Sequence, residues 1–306
     1  MRGKDVLAIC ISDIHLSHKA PIARSSEDNW YDAMRYPLEQ VWQLADRLGA
    51  IVICAGDIFD DGWRPHKCPP ELINFALRYL PPMYAIPGQH DLPHHRRDEI
   101  VKSAFWTLVK AGKVVLIHPE VKPIEIGQLR LHGFPWGCEI QPNTHPKNDF
   151  LLDVAVIHKL IWTNATGFQG ADLDCRIEIY KKKLKGYDIA IFGDNHKGFL
   201  QDNILNVGCL IRRKADEKDY QPTVGLLHSD GTISRHKLDV SQDKWLETEQ
   251  LGEFAKTTEW NDFLSELREL QDVGINFQHA VEKVMKSSQV SQEVRDVILR
   301  AMGGSE

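Results

Sequence analysis

Short apolar runs alternate with helical periodicity from the start of the chain to about residue 238. Eight runs have the length and the apolar composition of buried strands. They are Val6–Ser12, Ile51–Ala55, Met83–Ile86, Val114–Ile117, Leu129–Gly133, Val154–Ile157, Ile189–Phe192 and Ile204–Val207. Two more runs, Thr223–His228 and Ile233–Leu238, flank Asp230-Gly231, a dipeptide typical of β-hairpin turns. The pattern therefore predicts ten strands, the last two of them in a hairpin.

Between these runs the apolar spacing changes to the 3.6-residue period of a helix. Pro37 is the predicted first residue of the first helix, and Gly49 is its predicted stop. The apolar stripe of that helix comprises Leu38, Val41, Trp42, Ala45 and Leu48. Similar patterns predict helices over Glu71–Tyr79, Glu99–Ala111 and Arg176–Leu184. Strands that alternate with helices and end in a hairpin predict an α/β layered fold with mixed sheets.

The pattern changes after residue 240. Residues 241–256 are polar, and three amphipathic stripes follow, around Trp260, Ala280 and Val294. We therefore predict an α/β domain over residues 1–240 and a helical C-terminal appendage over residues 241–306. Three short amphipathic helices cannot all bury their stripes against one another, so we expect the appendage to be an interaction surface.

Composition limits the class of protein. The chain has 306 residues, 42% of them hydrophobic and 26% charged, as in ordinary globular domains. No apolar stretch approaches the length needed to span a bilayer, so no membrane association is expected. The six cysteines form no CxxC pair, which favours free thiols and a cytoplasmic location. The formal net charge of −6 argues weakly against a nucleic-acid partner, because such domains are usually basic.

Potential metal ligands follow five of the predicted strands. The motifs are Asp13-Ile14-His15, Gly56-Asp57, Gly88-Gln89-His90-Asp91, His158 and Gly193-Asp194-Asn195-His196. In α/β sheets the carboxyl ends of strands form the ligand-binding crevice, so these loops are expected to converge. Carboxylate, imidazole and amide oxygen together suit divalent cations such as manganese, zinc or iron. The sequence therefore predicts a metal site built from these side chains.

In order and spacing, these motifs resemble those of the calcineurin-like metallophosphoesterases. The likeness extends from about residue 6 to residue 238. Within that superfamily the chain looks most like the double-strand-break-repair nucleases, the group that includes bacterial SbcD. The segments that carry this second likeness are Ala55-Gly56-Asp57-Ile58-Phe59-Asp60, Tyr84-Ala85-Ile86-Pro87-Gly88 and Asn206-Val207-Gly208-Cys209-Leu210, the last followed by Arg212-Arg213-Lys214.

The resemblance implies a four-layer sandwich of two mixed sheets flanked by helices. It also implies two divalent cations, most often manganese, with magnesium, iron or zinc as alternatives. The first would be held by Asp13, His15, Asp57 and His196. The second would be held by Asp57, Gln89, His158 and Asp194. His90 would protonate the leaving oxygen as general acid, and Asp91 would orient its ring.

Two positions depart from the family pattern, and both belong to the second metal. Gln89 stands where the family usually has asparagine, and Asp194 stands where it usually has histidine. The added carboxylate favours harder cations such as manganese and is expected to make zinc a poor substitute. The longer Gln89 arm is expected to leave the second site the weaker of the two.

Three functions are compatible with this sequence. The first is a manganese-dependent DNA nuclease that works with an SbcC-like ATPase or as a homodimer. The second is a phosphatase or phosphodiesterase acting on a nucleotide or another small molecule, which the acidic net charge favours. The third is a non-catalytic metal-binding scaffold, an interpretation that the departures at Gln89 and Asp194 motivate. The dyad His90-Asp91 counts against a scaffold, since metal binding does not need it.

Overall fold

A computed structural model describes residues 4–118, 120–167 and 172–246. Within them the chain forms two six-stranded mixed sheets. The strands are β1 (Val6–Ile11), β2 (Ile51–Cys54), β3 (Met83–Ala85), β4 (Val114–Leu116), β5 (Ile124–Ile126), β6 (Leu129–Phe134), β7 (Leu152–His158), β8 (Ile189–Gly193), β9 (Phe199–Gln201), β10 (Ile204–Asn206), β11 (Thr223–His228) and β12 (Ile233–Lys237). The helices are α1 (Trp30–Leu48), α2 (Pro70–Tyr79), α3 (Ala104–Lys110) and α4 (Ile177–Lys183).

The first sheet has the order β12-β11-β1-β2-β3-β4, and the second has the order β5-β6-β7-β8-β10-β9. The central strands β1 to β4 run parallel, as do β6, β7, β8 and β10. Strands β11 and β12 form the predicted hairpin antiparallel to β1, and β5 and β9 close the second sheet antiparallel. All ten predicted strands are present. Among the described strands, the prediction missed β5 and β9, two short edge strands that are only partly buried and so lack a continuous buried run.

Side-chain alternation along the strands creates four layers. In β1, Ala8 and Cys10 face the second sheet, whereas Ile9 and Ile11 pack against helices α1 to α3. In β8, Ile189 and Ile191 face the first sheet, and Phe192 packs against α4. Strands covered on both faces are apolar throughout, which is why they appear as continuous hydrophobic runs. The predicted four-layer sandwich of two mixed sheets is confirmed.

The start of the first helix was predicted wrongly. Helix α1 begins at Trp30, because the Asn29 side chain caps it by accepting a hydrogen bond from the Tyr31 N–H at 3.0 Å. Pro37 therefore lies inside the helix, where it removes one backbone hydrogen bond at a cost of about 3 kcal/mol. The buried residues Met34 and Leu38, on either side of Pro37, pack in the same core and hold the helix together. Gly49 ends the helix in a left-handed conformation, as predicted.

Two other helical predictions need correction. The predicted helix over Glu99–Ala111 is a 3-10 turn, Arg97–Lys102, followed by α3. The break falls at Ser103, whose hydroxyl accepts a hydrogen bond from the Trp106 N–H and so begins a new helix. In the predicted stripe of α1, Trp42 and Leu48 are each 37% exposed, and Leu44 is buried instead.

The six cysteines are free thiols, as predicted, and Cys10 and Cys54 are buried in strands β1 and β2. In the part of the chain that the structure describes, no helix is both long and apolar enough to cross a membrane. The three predicted helices of the appendage lie outside the described residues. The domain boundary at residue 240 and the ATPase or homodimer partner assigned to the appendage therefore stay predictions.

Candidate metal centre

The candidate ligands converge at the carboxyl ends of five parallel strands. Asp13 and His15 follow β1, Asp57 follows β2, and Gln89 and His90 follow β3. The second sheet contributes His158, which is the last residue of β7. It also contributes the loop after β8, which carries Asp194 and His196. The two sheets meet here: the backbone N–H of Asp194 donates to both carboxylate oxygens of Asp13, at 3.0 and 3.1 Å. The predicted convergence of the five loops is what the structure shows.

The backbone of this centre is strained. Four of the candidate ligands have positive φ angles: Asp13 (49°), His15 (50°), Asp57 (54°) and Asp194 (88°). Residues with a Cβ rarely adopt this region, and each such conformation costs of order 1–3 kcal/mol. A fold that holds four side chains this way at one place directs them at a common point, as functional sites do.

Two glycines allow the ligand loops to approach closely. A Cβ at Gly88 would lie 2.1 Å from Oδ1 of Asp57, and a Cβ at Gly56 would lie 2.3 Å from Nδ1 of His158. Any side chain at either position would therefore displace a candidate ligand. The glycines that precede Asp57 and Gln89 in the sequence serve this close packing.

The first group of ligand atoms belongs to Asp13, His15 and His196, which lie close enough together to hold one ion. Nε2 of His15 is 3.1 Å from Nε2 of His196 and 3.9 Å from Oδ1 of Asp13. The same nitrogen is 3.8 Å from Oδ2 of Asp57. These are the four side chains expected to hold the first metal.

The second group is formed by Asp13, Asp57 and His158, with Gln89 beside them. Nε2 of His158 lies 3.3 Å from Oδ2 of Asp57 and 2.6 Å from Oε1 of Gln89. The Nδ1–H of His158 donates to the Ala55 carbonyl at 2.6 Å, which leaves Nε2 as the nitrogen that can bind a cation. The carbonyl oxygen of Gln89 therefore lies beside this nitrogen, and its coordination of the second metal stays a prediction.

Asp194 has a different contact from the one predicted. Its Oδ1 accepts a hydrogen bond from Nε2 of Gln89 at 2.9 Å. An amide nitrogen does not bind cations, so this contact turns the amide oxygen of Gln89 toward His158. Asp194 thus orients a candidate ligand, and its own coordination of the second metal stays a prediction.

Burial and mutual charge set the protonation of the centre when no cation is bound. Burial raises the pKa of Asp13 to about 6, although His158 and His196 oppose the shift. Burial alone would lower the pKa of His158, but Asp57 above all, with Asp13, raises it to about 10. Burial also acts to raise the pKa of Asp57, yet His158 and His15 outweigh it and hold that pKa well below its usual range.

The donor atoms fit divalent cations. Oδ2 of Asp57 and Nδ1 of His15 are buried and have no hydrogen-bond partner among the described residues. An unpartnered buried carboxylate oxygen is costly unless a proton or a cation satisfies it. The set of carboxylate, imidazole and amide oxygens matches the ligand preferences of manganese, iron and zinc.

Because His158 carries a proton in the absence of metal, cation binding must release it. We predict that at pH 7.5 at least one proton leaves for each chain loaded with manganese. Manganese affinity should rise with pH until the pH passes the His158 pKa of about 10. Calorimetry in two buffers with different ionisation enthalpies measures this release, with His236→Ala as control because that histidine is exposed on β12. Binding without proton release would show that His158 is not a ligand.

His90 lines the same cavity as the candidate ligands, and its Nδ1 lies 2.6 Å from the Asp60 carbonyl oxygen. A carbonyl only accepts, so Nδ1 carries hydrogen and the ring is held from that side. The prediction that Asp91 orients this ring is wrong. The Asp91 carboxylate is fully buried and accepts the backbone N–H groups of Ile58, Phe59 and Gly88, at 3.0–3.2 Å. Asp91 therefore ties the loops after β2 and β3 together.

Glu217 belongs to the centre, although the sequence analysis missed it. Its Oε1 is 2.8 Å from Nδ1 of His196, and its Oε2 accepts the backbone N–H groups of Arg213 and Lys214. Burial would raise the pKa of Glu217, but these hydrogen bonds lower it to about 2, so it is ionised. The hydrogen bonds of this turn resemble those of a capping box. Lys214, however, occupies the position at which Ser or Thr normally identifies that motif, so no sequence pattern indicated the role of Glu217.

Glu217 is expected to fix the ring of His196 for metal binding. Both carboxylate oxygens of Glu217 accept hydrogen bonds, one from the His196 ring and one from the backbone. In Glu217→Gln an amide nitrogen replaces one of these oxygens, so it meets a donor and one of the two hydrogen bonds is lost. We expect manganese affinity at the first group to fall about 10- to 100-fold. Titration by calorimetry measures this, and Asp216→Asn is the matched control because Asp216 is exposed in the same turn. Unchanged affinity in Glu217→Gln would remove Glu217 from the centre.

Two layered sheets with clustered Asp, His and Gln ligands at their strand ends define the class of metal-dependent phosphoesterases. A family model described as calcineurin-like phosphoesterase matches residues 8–198. The chain belongs to that family, whose members bind two divalent metal ions. A search of the curated proteins found no match.

The solved structures that match this chain share little sequence with it. The sulfate thiohydrolase SoxB of Thermus thermophilus is 10% identical with a TM-score of 0.45, and the match covers 84% of this chain and 60% of that one. YfkN of Bacillus subtilis, a calcineurin-like phosphoesterase, is 11% identical with a TM-score of 0.45 over 84% of this chain and 98% of that one. A 5'-nucleotidase of Candida albicans is 13% identical with a TM-score of 0.40, over 80% and 56%. The chain spans 60% of SoxB and 56% of that nucleotidase.

Proposed function

We propose that this phosphoesterase hydrolyses phosphodiester bonds of DNA with two bound manganese ions. The observation that carries the proposal is the position of His90 in a cavity of about 370 Å³, where it shares one wall with His15, Asp194 and His196. A substrate phosphate that enters this cavity meets the metal ligands and a proton donor together. That arrangement suits hydrolysis better than a scaffold, which would need the ligands alone.

Asp13, His15, Asp57 and His196 would hold one cation, and Asp57, Gln89 and His158 the other. When bound, the pair supplies Lewis acidity that activates a water and neutralises phosphate charge. His90 is held through Nδ1–H by the Asp60 carbonyl, so a ring protonated on both nitrogens would give the Nε2 proton to the leaving oxygen and return to the neutral form. Gln89 is held by Asp194 and directs its carbonyl oxygen into the second group.

DNA is the proposed substrate because the segments 55–60, 84–88 and 206–210 resemble those of the repair nucleases. The neighbouring residues Arg212 and Arg213 lie in different surroundings. Arg212 is buried, and it bonds the carbonyls of Lys218 and Tyr220 and the carboxylate of Asp243, so it cannot contact DNA. Among the described residues in the wall of this cavity, Lys197 and Lys214 are exposed cations that can contact a phosphate backbone.

The test compares labelled single- and double-stranded DNA with a panel of mononucleotides, each with manganese. We expect DNA hydrolysis, and we expect DNA affinity to fall steeply as salt rises, because lysine–phosphate contacts release counterions. Lys197→Ala combined with Lys214→Ala should flatten the salt dependence of DNA binding while two manganese ions still bind.

The small volume of the cavity, which is that of an ordinary small-ligand pocket, favours nucleotides as the second candidate substrate. Turnover of a mononucleotide with intact DNA and no salt response would establish that alternative and refute the DNA proposal.

A further inference from the structure

We propose that Arg213 binds a non-bridging oxygen of the substrate phosphate, held in position by Asp60 and Glu217. The inference rests on the phosphoester hydrolysis proposed above, but it does not depend on DNA as the substrate. The family match ends at residue 198, so Arg213 lies beyond the matched segment. It also belongs to a basic run whose first member, Arg212, is buried in the structure.

Arg213 lies in the wall of the cavity that contains His15 and His90. Its Nη1 donates to Oδ1 of Asp60 at 2.7 Å, and its Nε has no hydrogen-bond partner among the described residues. A guanidinium group carries five N–H donors in a planar fork. Asp60 thus holds the fork at the cavity while leaving donors that an anion can accept from.

The surrounding contacts hold the Arg213 backbone as well. Oε2 of Glu217 accepts the Arg213 N–H at 2.6 Å, and Oε1 of the same carboxylate holds His196. Asp60 uses its backbone carbonyl to hold His90. One short network therefore connects a candidate metal ligand, the proposed acid and the guanidinium group. Fixed donors aimed at a developing charge are the arrangement that stabilises phosphoryl transition states.

Arginine suits this role better than lysine, because its fork can donate two parallel hydrogen bonds to a phosphate. A purely structural pair would instead join the loop after β2 to the loop that follows β10. The two roles make opposite predictions for Asp60. If Arg213 binds phosphate, Asp60→Asn keeps an acceptor for Nη1 and removes a negative charge beside the anion, so phosphate binding is kept or strengthened. If the pair is structural, loss of either partner has the same effect.

The experiment measures binding of inorganic phosphate to the full chain loaded with manganese, by calorimetry. Arg213→Ala should raise the dissociation constant about 10- to 100-fold, the range for hydrogen bonds to a charged group. Arg213→Lys should fall between this variant and the wild type. Asp60→Asn should bind phosphate as tightly as the wild type or more tightly. Lys218→Ala, which removes one exposed charge from the same loop, should stay within about twofold.

Hydrolysis of bis(p-nitrophenyl) phosphate provides the second readout, where Arg213→Ala should lower kcat/KM by a similar factor while manganese stoichiometry is unchanged. The inference is overturned if Arg213→Ala binds phosphate like the wild type, if Asp60→Asn weakens binding as much as Arg213→Ala, or if the wild type binds no phosphate. If DNA stays intact in the nuclease assay while phosphate binding depends on Arg213, the DNA proposal is refuted and this inference stands.

Discussion

Replacement of His90 by alanine is expected to lower turnover by about 10²- to 10⁴-fold while both manganese ions still bind, if general-acid assistance is its whole contribution. The imidazole lines the cavity and is held at Nδ1 by the Asp60 carbonyl, with its other nitrogen left for proton transfer. Without it, the leaving oxygen departs as an alkoxide or takes its proton from water. Steady-state kinetics on a small diester and on DNA measure the loss.

The metal count separates two roles for this residue. A ring nitrogen of His90 also lies close enough to His15 and Asp57 to share an ion with them. Elemental analysis of His90→Ala should give two manganese ions per chain if His90 is the acid and fewer if it is a ligand. His236→Ala, which removes an exposed histidine from β12, is the control for general effects. Near-normal turnover in His90→Ala would exclude His90 from the mechanism.

Asp57→Asn is expected to have the largest effect on metal binding. Among the described residues, Asp57 and Asp13 each lie in a group with His15 and in a group with His158. Its Oδ2 is buried and without a hydrogen-bond partner in the described part of the chain, as expected of an oxygen that bridges two cations. With a neutral amide in its place, we expect at most one manganese ion to bind and turnover to fall by at least about 10³-fold.

The fold should survive this substitution. Oδ1 of Asp57 accepts the His90 N–H at 2.9 Å, and an asparagine oxygen can keep that bond. Circular dichroism and thermal melting of the metal-free chain should therefore match the wild type. Asp98→Asn removes an exposed carboxylate at the surface and should change neither metal count nor turnover. Two manganese ions bound to Asp57→Asn with wild-type affinity would contradict the bridging role.

Strand positions were predictable because a strand covered on both faces must be apolar at nearly every residue. Helix boundaries were harder to predict, because a single capping residue determines where a helix begins and a more familiar sequence pattern can point to another position. Proline at a first helical position is a common pattern, and it concealed the Asn29 cap, which lies eight residues before Pro37. Likewise, the apolar period continues through Ser103, but its hydroxyl caps α3 and so divides the helix that the period predicted.

The candidate ligands were predictable for a related reason. A side chain that follows a parallel strand is carried to the same sheet edge as its neighbours, so order along the chain is enough to indicate a common site. This reasoning places Asp13, Asp57 and His158 together without any knowledge of distances. It does not extend to Glu217, which reaches His196 from a 3-10 turn well beyond the end of β10, where the position of the strand end no longer fixes the position of the side chain.

The sequence by itself determined the layered α/β fold and the residues that converge at its strand ends, since periodicity and strand order require only local information. Tertiary structure alone decided which partner each polar group takes. Asp91 bonds three backbone N–H groups instead of the His90 ring, Asp194 holds the amide of Gln89, and Arg212 and Arg213 separate into a buried and a cavity-lining residue. A hydrogen bond depends on distances of a few tenths of an ångström between loops far apart in sequence, and those distances are set only when both sheets have packed.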